Sequence, residues 1–191
     1  GPEKLYDLVT PYGYGGPVIV SLTGDKNVLV GSYQMAMEEY TQENAIVSEF
    51  VRFHPMYNNA ADFDSVYHVE YLRNTLGTNL AAYPDFLQTE YSKGCRKNLR
   101  HADNKGVTVE IIKSPESLEE FKVVYYSTMG RNNASEYYYF DDEYFDKCLE
   151  YYRDYILLVK AYFNGIVIAA GFYFIWGKTV HIHLSGTLTE Y

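Results

Sequence analysis

In the last third of the chain, apolar residues come in runs rather than stripes. Residues 157–163, Ile166–Trp176 and 179–185 are rich in β-branched and aromatic side chains. They are separated by Asn164-Gly165 and Gly177-Lys178, dipeptides that close hairpins, so the pattern predicts three consecutive antiparallel strands. Upstream the period changes. From Pro84 onward, Leu87, Tyr91, Cys95, Leu99 and Ala102 recur at spacings of four and three, and Gly106 stands where a helix would end. A strand at 107–113 follows. Ser114-Pro115 then opens a helix with Leu118, Phe121, Tyr125 and Met129 as its core face. Asp141-Asp142-Glu143 places acid at the start of another helix, whose stripe is Phe145, Cys148, Leu149 and Tyr152.

The first part of the chain is less regular. Short strands are expected at 5–10 and 18–22, on either side of Pro11-Tyr-Gly-Tyr-Gly-Gly-Pro17. Gly24-Asp25-Lys26-Asn27 reads as a turn. Ser32 is placed to cap a helix burying Tyr33, Ala36, Met37 and Tyr40. Further strands are expected at 45–53, 65–72 and 80–83. The fold class is α+β, a mixed and largely antiparallel sheet flanked by helices. The terminal meander needs a cover over at least one apolar face. Only Gly-Thr-Leu-Thr-Glu-Tyr follows Ser185, so a covering helix is expected to lie outside this sequence.

Composition narrows the function classes. The 191 residues carry a net charge of −9, which argues against general nucleic-acid binding while leaving room for a local basic patch. No apolar run is long enough to span a bilayer and no secretion signal opens the chain, which points to a cytoplasmic protein. Cys95 and Cys148 both fall on apolar stripes and read as reduced core thiols. The 22 tyrosines read first as a tyrosine-heavy core and surface, and second as rings lining a cleft.

Four local patterns carry candidate chemistry. The Tyr-Gly loop holding Tyr12 and Tyr14 lacks the Gly-Lys-Ser/Thr of a phosphate loop; a tight strand connection and a cleft lining describe it equally well. Arg52 and His54 alternate with Val51 and Phe53, so both point to one face at a strand end, where an anion would fit. Lys93, Arg96, Lys97 and Arg100 concentrate positive charge on the helix after Pro84; the choice lies between a solvated face and an anion contact. His181 and His183 share a strand face with Ser185, opposite Val180, Ile182 and Leu184. Zinc wants three or four ligands and no third ligand has recognisable spacing, so no metal is expected and hydrogen bonding or general-base work is preferred.

Three segments together resemble FemAB-like and related GNAT-superfamily N-acyltransferases. They are Tyr6-Asp-Leu-Val-Thr-Pro-Tyr-Gly-Tyr-Gly-Gly-Pro17, the run from Tyr91 to Val109, and the hairpin 158–172 with Val180-His-Ile-His-Leu-Ser-Gly186. The resemblance implies two GNAT-like units: residues 1–83 as the later part of a first, and 84–191 as a connecting basic helix and the earlier part of a second. It also implies opening elements before Gly1 and closing elements after Tyr191. The implied activity is bacterial and serves the cell envelope. It transfers an acyl or aminoacyl group from acyl-CoA or aminoacyl-tRNA, a co-substrate rather than a resident cofactor, to an amine. A non-catalytic peptide- or glycan-binding module is the alternative. On chemistry and position, His183 is the candidate base with His54 behind it. Tyr12 and Tyr14 line the cleft, Arg52, Arg96 and Arg100 hold anions, and His181 contacts substrate. The open side of the meander is expected to be covered by a partner chain or second copy, or to stay exposed.

Overall fold

The computed structural model describes residues 4–191. Two compact units divide the chain, Gly1–Gly77 and Thr78–Tyr191.

In the first unit, β1 (Tyr6–Val9) and β2 (Ile46–Phe50) pair in parallel, linked by α1 (Lys26–Glu43). The helix starts well before Ser32. Asp25 is its N-cap and accepts the Asn27 N–H, while Ser32 Oγ donates back to the Val28 carbonyl inside the helix. The expected turn at 24–27 is therefore the capping turn of α1. A one-turn helix, α2 (Asn59–Asp62), follows. Residues 18–22, 65–72 and 80–83 form no strands. Val20 is 94% exposed, and a lone alternating segment without a ladder partner has nothing to hold it extended.

The second unit begins with α3 (Phe86–Glu90) and α4 (Lys93–Asn104). The expected single helix breaks at Tyr91-Ser92, because Ser92 caps α4 by accepting the Cys95 N–H. Its apolar stripe is not a core face: Leu87, Leu99 and Cys95 are all exposed. Cys95 is thus a surface thiol, while Cys148 is buried as expected.

Then come β3 (Thr108–Lys113), α5 (Glu119–Arg131), α6 (Asp142–Tyr152), β4 (Ile156–Phe163), β5 (Ile166–Trp176) and β6 (Thr179–Thr187). The four strands form an antiparallel sheet in the order β3-β4-β5-β6. Asn164 and Gly165 both take positive φ at the β4–β5 turn, as the Asn-Gly signal requires. Helices α5 and α6 cover one face. Between them and the sheet lie Leu118, Phe121, Val124, Tyr125, Phe145, Ile156, Leu158, Phe172 and Leu184, all nearly inaccessible to solvent. Two lysines tie this layer at its margins. Lys160 on β4 meets Glu110 of β3 and Glu120 of α5, and Lys122 on α5 meets Glu119 and Asp142.

β6 docks closely on α5. A Cβ at Gly186 would come within 2.6 Å of the Val124 carbonyl oxygen, so only glycine allows the backbones this near. Thr187 is held beside it, donating its N–H to Thr128 Oγ1 and accepting from Arg131.

The faces of β6 differ from strict alternation. Val180 and Ile182 are exposed, but Leu184 is buried and Ser185 is exposed. The register with β5 slips between Phe172 and Tyr173: Phe172 opposes Leu184 and Tyr173 opposes Ile182, leaving His183 as an extra residue. A bulge inverts every side chain beyond it, so Leu184 joins the histidine face and Ser185 leaves it. The opposite face of the sheet shows exposed Val109, Ile111, Val180 and Ile182 among the described residues.

Candidate active-site clusters

In the first unit, the C-terminal ends of the two parallel strands carry the Tyr-Gly loop. Open sheets of parallel strands bind ligands at this end. Gly15 extends the pairing beyond β1, donating its N–H to the Arg52 carbonyl at 2.8 Å and bridging to Phe53. The Arg52 N–H is held by Thr10 Oγ1 at 3.1 Å. Gly16 packs so near Val51 that a Cβ there would lie 2.5 Å from its Cγ1.

Asn59 fixes the loop from below. Its side-chain amide donates to the carbonyls of Gly15 and Pro17 at 3.0 Å each, and its oxygen accepts the His54 N–H at 3.0 Å. It is only 1% exposed. On this base, His54 stacks on Tyr57 with ring centroids 4.3 Å apart and meets the edge of Tyr14 at 5.6 Å. Nδ1 of His54 accepts the Met56 N–H, which places the proton of the neutral ring on Nε2. Tyr14 Oη lies 3.0 Å from Thr75 Oγ1. The structure thus gathers Tyr12, Tyr14, Arg52 and His54 at one end of this unit, with Tyr14 and His54 in contact.

Asn59 was not foreseen. Asparagines after His-Pro-Met-Tyr signal a turn, and nothing in their spacing tells that one amide serves three backbone groups. Asn59→Ala leaves three part-buried backbone groups without their partner, so a loss of about 2 kcal/mol is expected in urea unfolding of the first unit. A change below about 0.5 kcal/mol would show that the loop holds itself.

In the second unit, the bulge presents His183 to the covered side of the sheet. Its ring lies among Phe172, Phe174 and Tyr144, with centroids 5.2, 4.9 and 6.3 Å away. Tyr144 of α6 brings its hydroxyl to within 2.5 Å of His183 Nε2 and is itself stacked on Phe140 at 4.3 Å. Burial, and then the charge of His181, push His183 down to about 4; burial also lowers His181. The imidazole is therefore neutral at pH 7, and its Nε2 can accept a hydrogen bond from the Tyr144 hydroxyl. Two further tyrosines pin the loop that carries Phe140. Tyr125 donates to the Tyr138 carbonyl at 2.7 Å and Tyr126 to the Phe140 carbonyl at 2.5 Å. Tyr144 was foreseen neither as a stripe residue nor as a site residue, since it lies one position before Phe145 in the first turn of its helix.

The two arginines of α4 are placed differently from the histidines. Arg96 turns back to α3 and donates to the carbonyls of Gln88, at 3.0 Å, and of Tyr91, closing that helix. Arg100 is exposed. Among the described residues no group of three or more His, Cys, Asp or Glu is arranged to hold a metal ion.

A search of curated proteins finds no match to the chain. The model of the FemAB family matches residues 71–166, half of the sequence, from the segment before α3 to the first residue of β5. This chain belongs to the FemAB family. Its members are GNAT-like aminoacyltransferases, and at the level of the family the activity is aminoacyl transfer in cell-wall biosynthesis. The antiparallel sheet under α5 and α6 has the α+β form expected of such a fold. No described helix is long and apolar enough to cross a membrane.

Proposed function

We propose that this chain transfers an aminoacyl group from charged tRNA to an amine of a peptidoglycan precursor in the cytoplasm. The family match carries the reading, because it runs unbroken through the basic helix α4, β3, both covering helices and β4. The donor is a co-substrate, and no resident cofactor is invoked.

In the reaction, the neutral acceptor amine attacks the ester carbonyl. The nitrogen–carbon bond forms, the bond from the carbonyl carbon to the ribose oxygen breaks, and that oxygen leaves with a proton. The nitrogen must shed a proton as it attacks. We assign its uptake to the Tyr144–His183 pair, in which the imidazole nitrogen already faces the tyrosine hydroxyl. In the first unit, Tyr14 and His54 form a wall of rings suited to a substrate group, and we assign Arg52, at the same strand end, to an anion.

The test is a radiolabel transfer assay with charged tRNA and a precursor peptide, run beside the same acceptor with acyl-CoA donors. Label in the peptide only with charged tRNA is the expected result. Transfer from acyl-CoA alone would replace the donor. Tight binding of precursor without turnover by either donor would make the chain a binding module.

A further inference from the structure

We infer that one ridge of α4, formed by Lys93, Lys97 and Arg100, is the surface on which this protein takes the phosphate backbone of its RNA co-substrate. The inference deepens the proposed function and rests on it. At 3.6 residues per turn, positions 93, 97 and 100 fall within about 60° of one another, and Asn104 continues the same line. Their spacing sets the three cations about 6 and 4.5 Å apart along the helix axis. Each strand of a nucleic-acid duplex carries one charge per nucleotide, about 3.4 Å of axis in DNA, so cations spaced this way are matched to successive phosphates of one strand.

Three observations favour an outside anion. All three side chains are exposed, and among the described residues they enter none of the ion pairs. Elsewhere in the same unit, Lys122, Lys147, Arg153 and Lys160 each meet a carboxylate of this chain, while Lys113 and Lys178, which also enter none of the ion pairs, are not part of such a ridge. The ridge also runs against a net charge of −9. A polyanion is repelled by most of such a surface and held where cations cluster, so this helix sets where the RNA lands.

A lipid surface fits the same helix less well. A helix lying on a membrane buries a face of large apolar side chains and carries its cations on the opposite, polar face. On α4 the apolar line opposite the cationic ridge is Cys95, Leu99 and Ala102, which offers a bilayer only one large apolar side chain to bury. Arg96, between the two, is already committed to the end of α3. Backbone contacts of this kind position a nucleic acid without reading its sequence.

The experiment measures binding of a fluorescent hairpin RNA, with an acceptor stem and a single-stranded 3′ end, by anisotropy from 50 to 300 mM salt. It compares wild type, K93Q/K97Q/R100Q, the charge-keeping K93R/K97R/R100K, and K113Q/K178Q as a control for charge elsewhere. Neutralising three phosphate contacts is expected to make the slope of log K against log salt shallower by about 2 to 3. Affinity at 100 mM salt should fall at least tenfold. The charge-keeping variant should restore both, and the control should match wild type.

In the transfer assay the loss should appear in KM for charged RNA, with kcat within twofold. If wild type transfers from charged RNA and the glutamine variant keeps its slope, the ridge is not the contact, while the proposed function stands. If wild type neither binds the hairpin nor uses charged RNA, the proposed function fails and the inference with it. Charge-dependent binding of wild type to phosphatidylserine vesicles, with no binding to the hairpin, would also overturn the inference.

Discussion

His183→Gln is expected to lower kcat for aminoacyl transfer by about 10²- to 10³-fold, with KM for charged tRNA changed less than twofold. Glutamine keeps an acceptor for the Tyr144 hydroxyl and much of the ring's volume, but it cannot take a proton. Tyr144→Phe removes the other half of the pair and should cost as much, and the double variant little more, because the two act as a unit. A kcat within threefold of wild type in His183→Gln would remove the histidine from proton transfer.

The same substitution has a stability signature that does not depend on activity. The folded imidazole titrates at about 4 and the unfolded one near 6.5, so the unfolded chain binds the proton more readily. The stability this group contributes is full above pH 6.5 and is lost as the pH falls from there to about 4. Allowing for partial solvent access to the ring, the loss is about 2 kcal/mol. Urea midpoints at pH 7.5, 6 and 5 should fall more steeply for wild type than for His183→Gln. Parallel curves would mean that His183 is as easily protonated folded as unfolded.

What was legible in the sequence is what neighbours along the chain decide. The β4–β5 hairpin could be read because runs of β-branched residues flank an Asn-Gly turn whose geometry admits few other residues. Helices α5 and α6 could be read because their apolar positions repeat at helical spacing and Asp141 caps the second. The misreadings occur where a distant partner decides. Residues 18–22 alternate like a strand but lack a ladder. The run after Pro84 has a continuous helical stripe, yet Ser92 prefers to cap a new helix and Arg96 to close the old one.

The bulge at His183 is the most consequential case. No sequence pattern marked it, since Val-His-Ile-His-Leu-Ser alternates without a break. Only the pairing with β5 reveals that the faces exchange after His183. Strict alternation places both histidines on one face, as observed, but assigns Leu184 and Ser185 to the wrong sides. The residues that complete each cluster, Asn59 and Tyr144, were missed for a related reason. Each acts on groups far from it in sequence, Asn59 on a loop more than 40 residues away and Tyr144 on a histidine 39 residues away.

Phe121 joins both covering helices of the second unit to the sheet, and Phe121→Ala is expected to destabilise it by about 4 kcal/mol. Phe121 is fully buried, and its ring meets those of Tyr125, Phe145 and Phe172 at centroid distances of 5.6, 6.0 and 5.9 Å. Those three come from α5, α6 and β5, so one deletion opens a cavity where both helices meet the sheet. The layer cannot collapse to fill it. Gly186 already brings the β6 backbone against α5, and the Thr128–Thr187 hydrogen bond fixes that approach. With a urea dependence of about 2 kcal/mol per molar, the transition of this unit should move down by about 2 M. Phe121→Leu, which leaves a smaller void, should cost less than half as much. Phe172 also packs against His183, so a loosened core is expected to reach the Tyr144–His183 cluster. Fluorescence of Trp176, on the strand that carries Phe172, follows the transition directly. An alanine variant within about 1.5 kcal/mol of wild type would show that the helices can close over the gap and that the core is not held at Phe121.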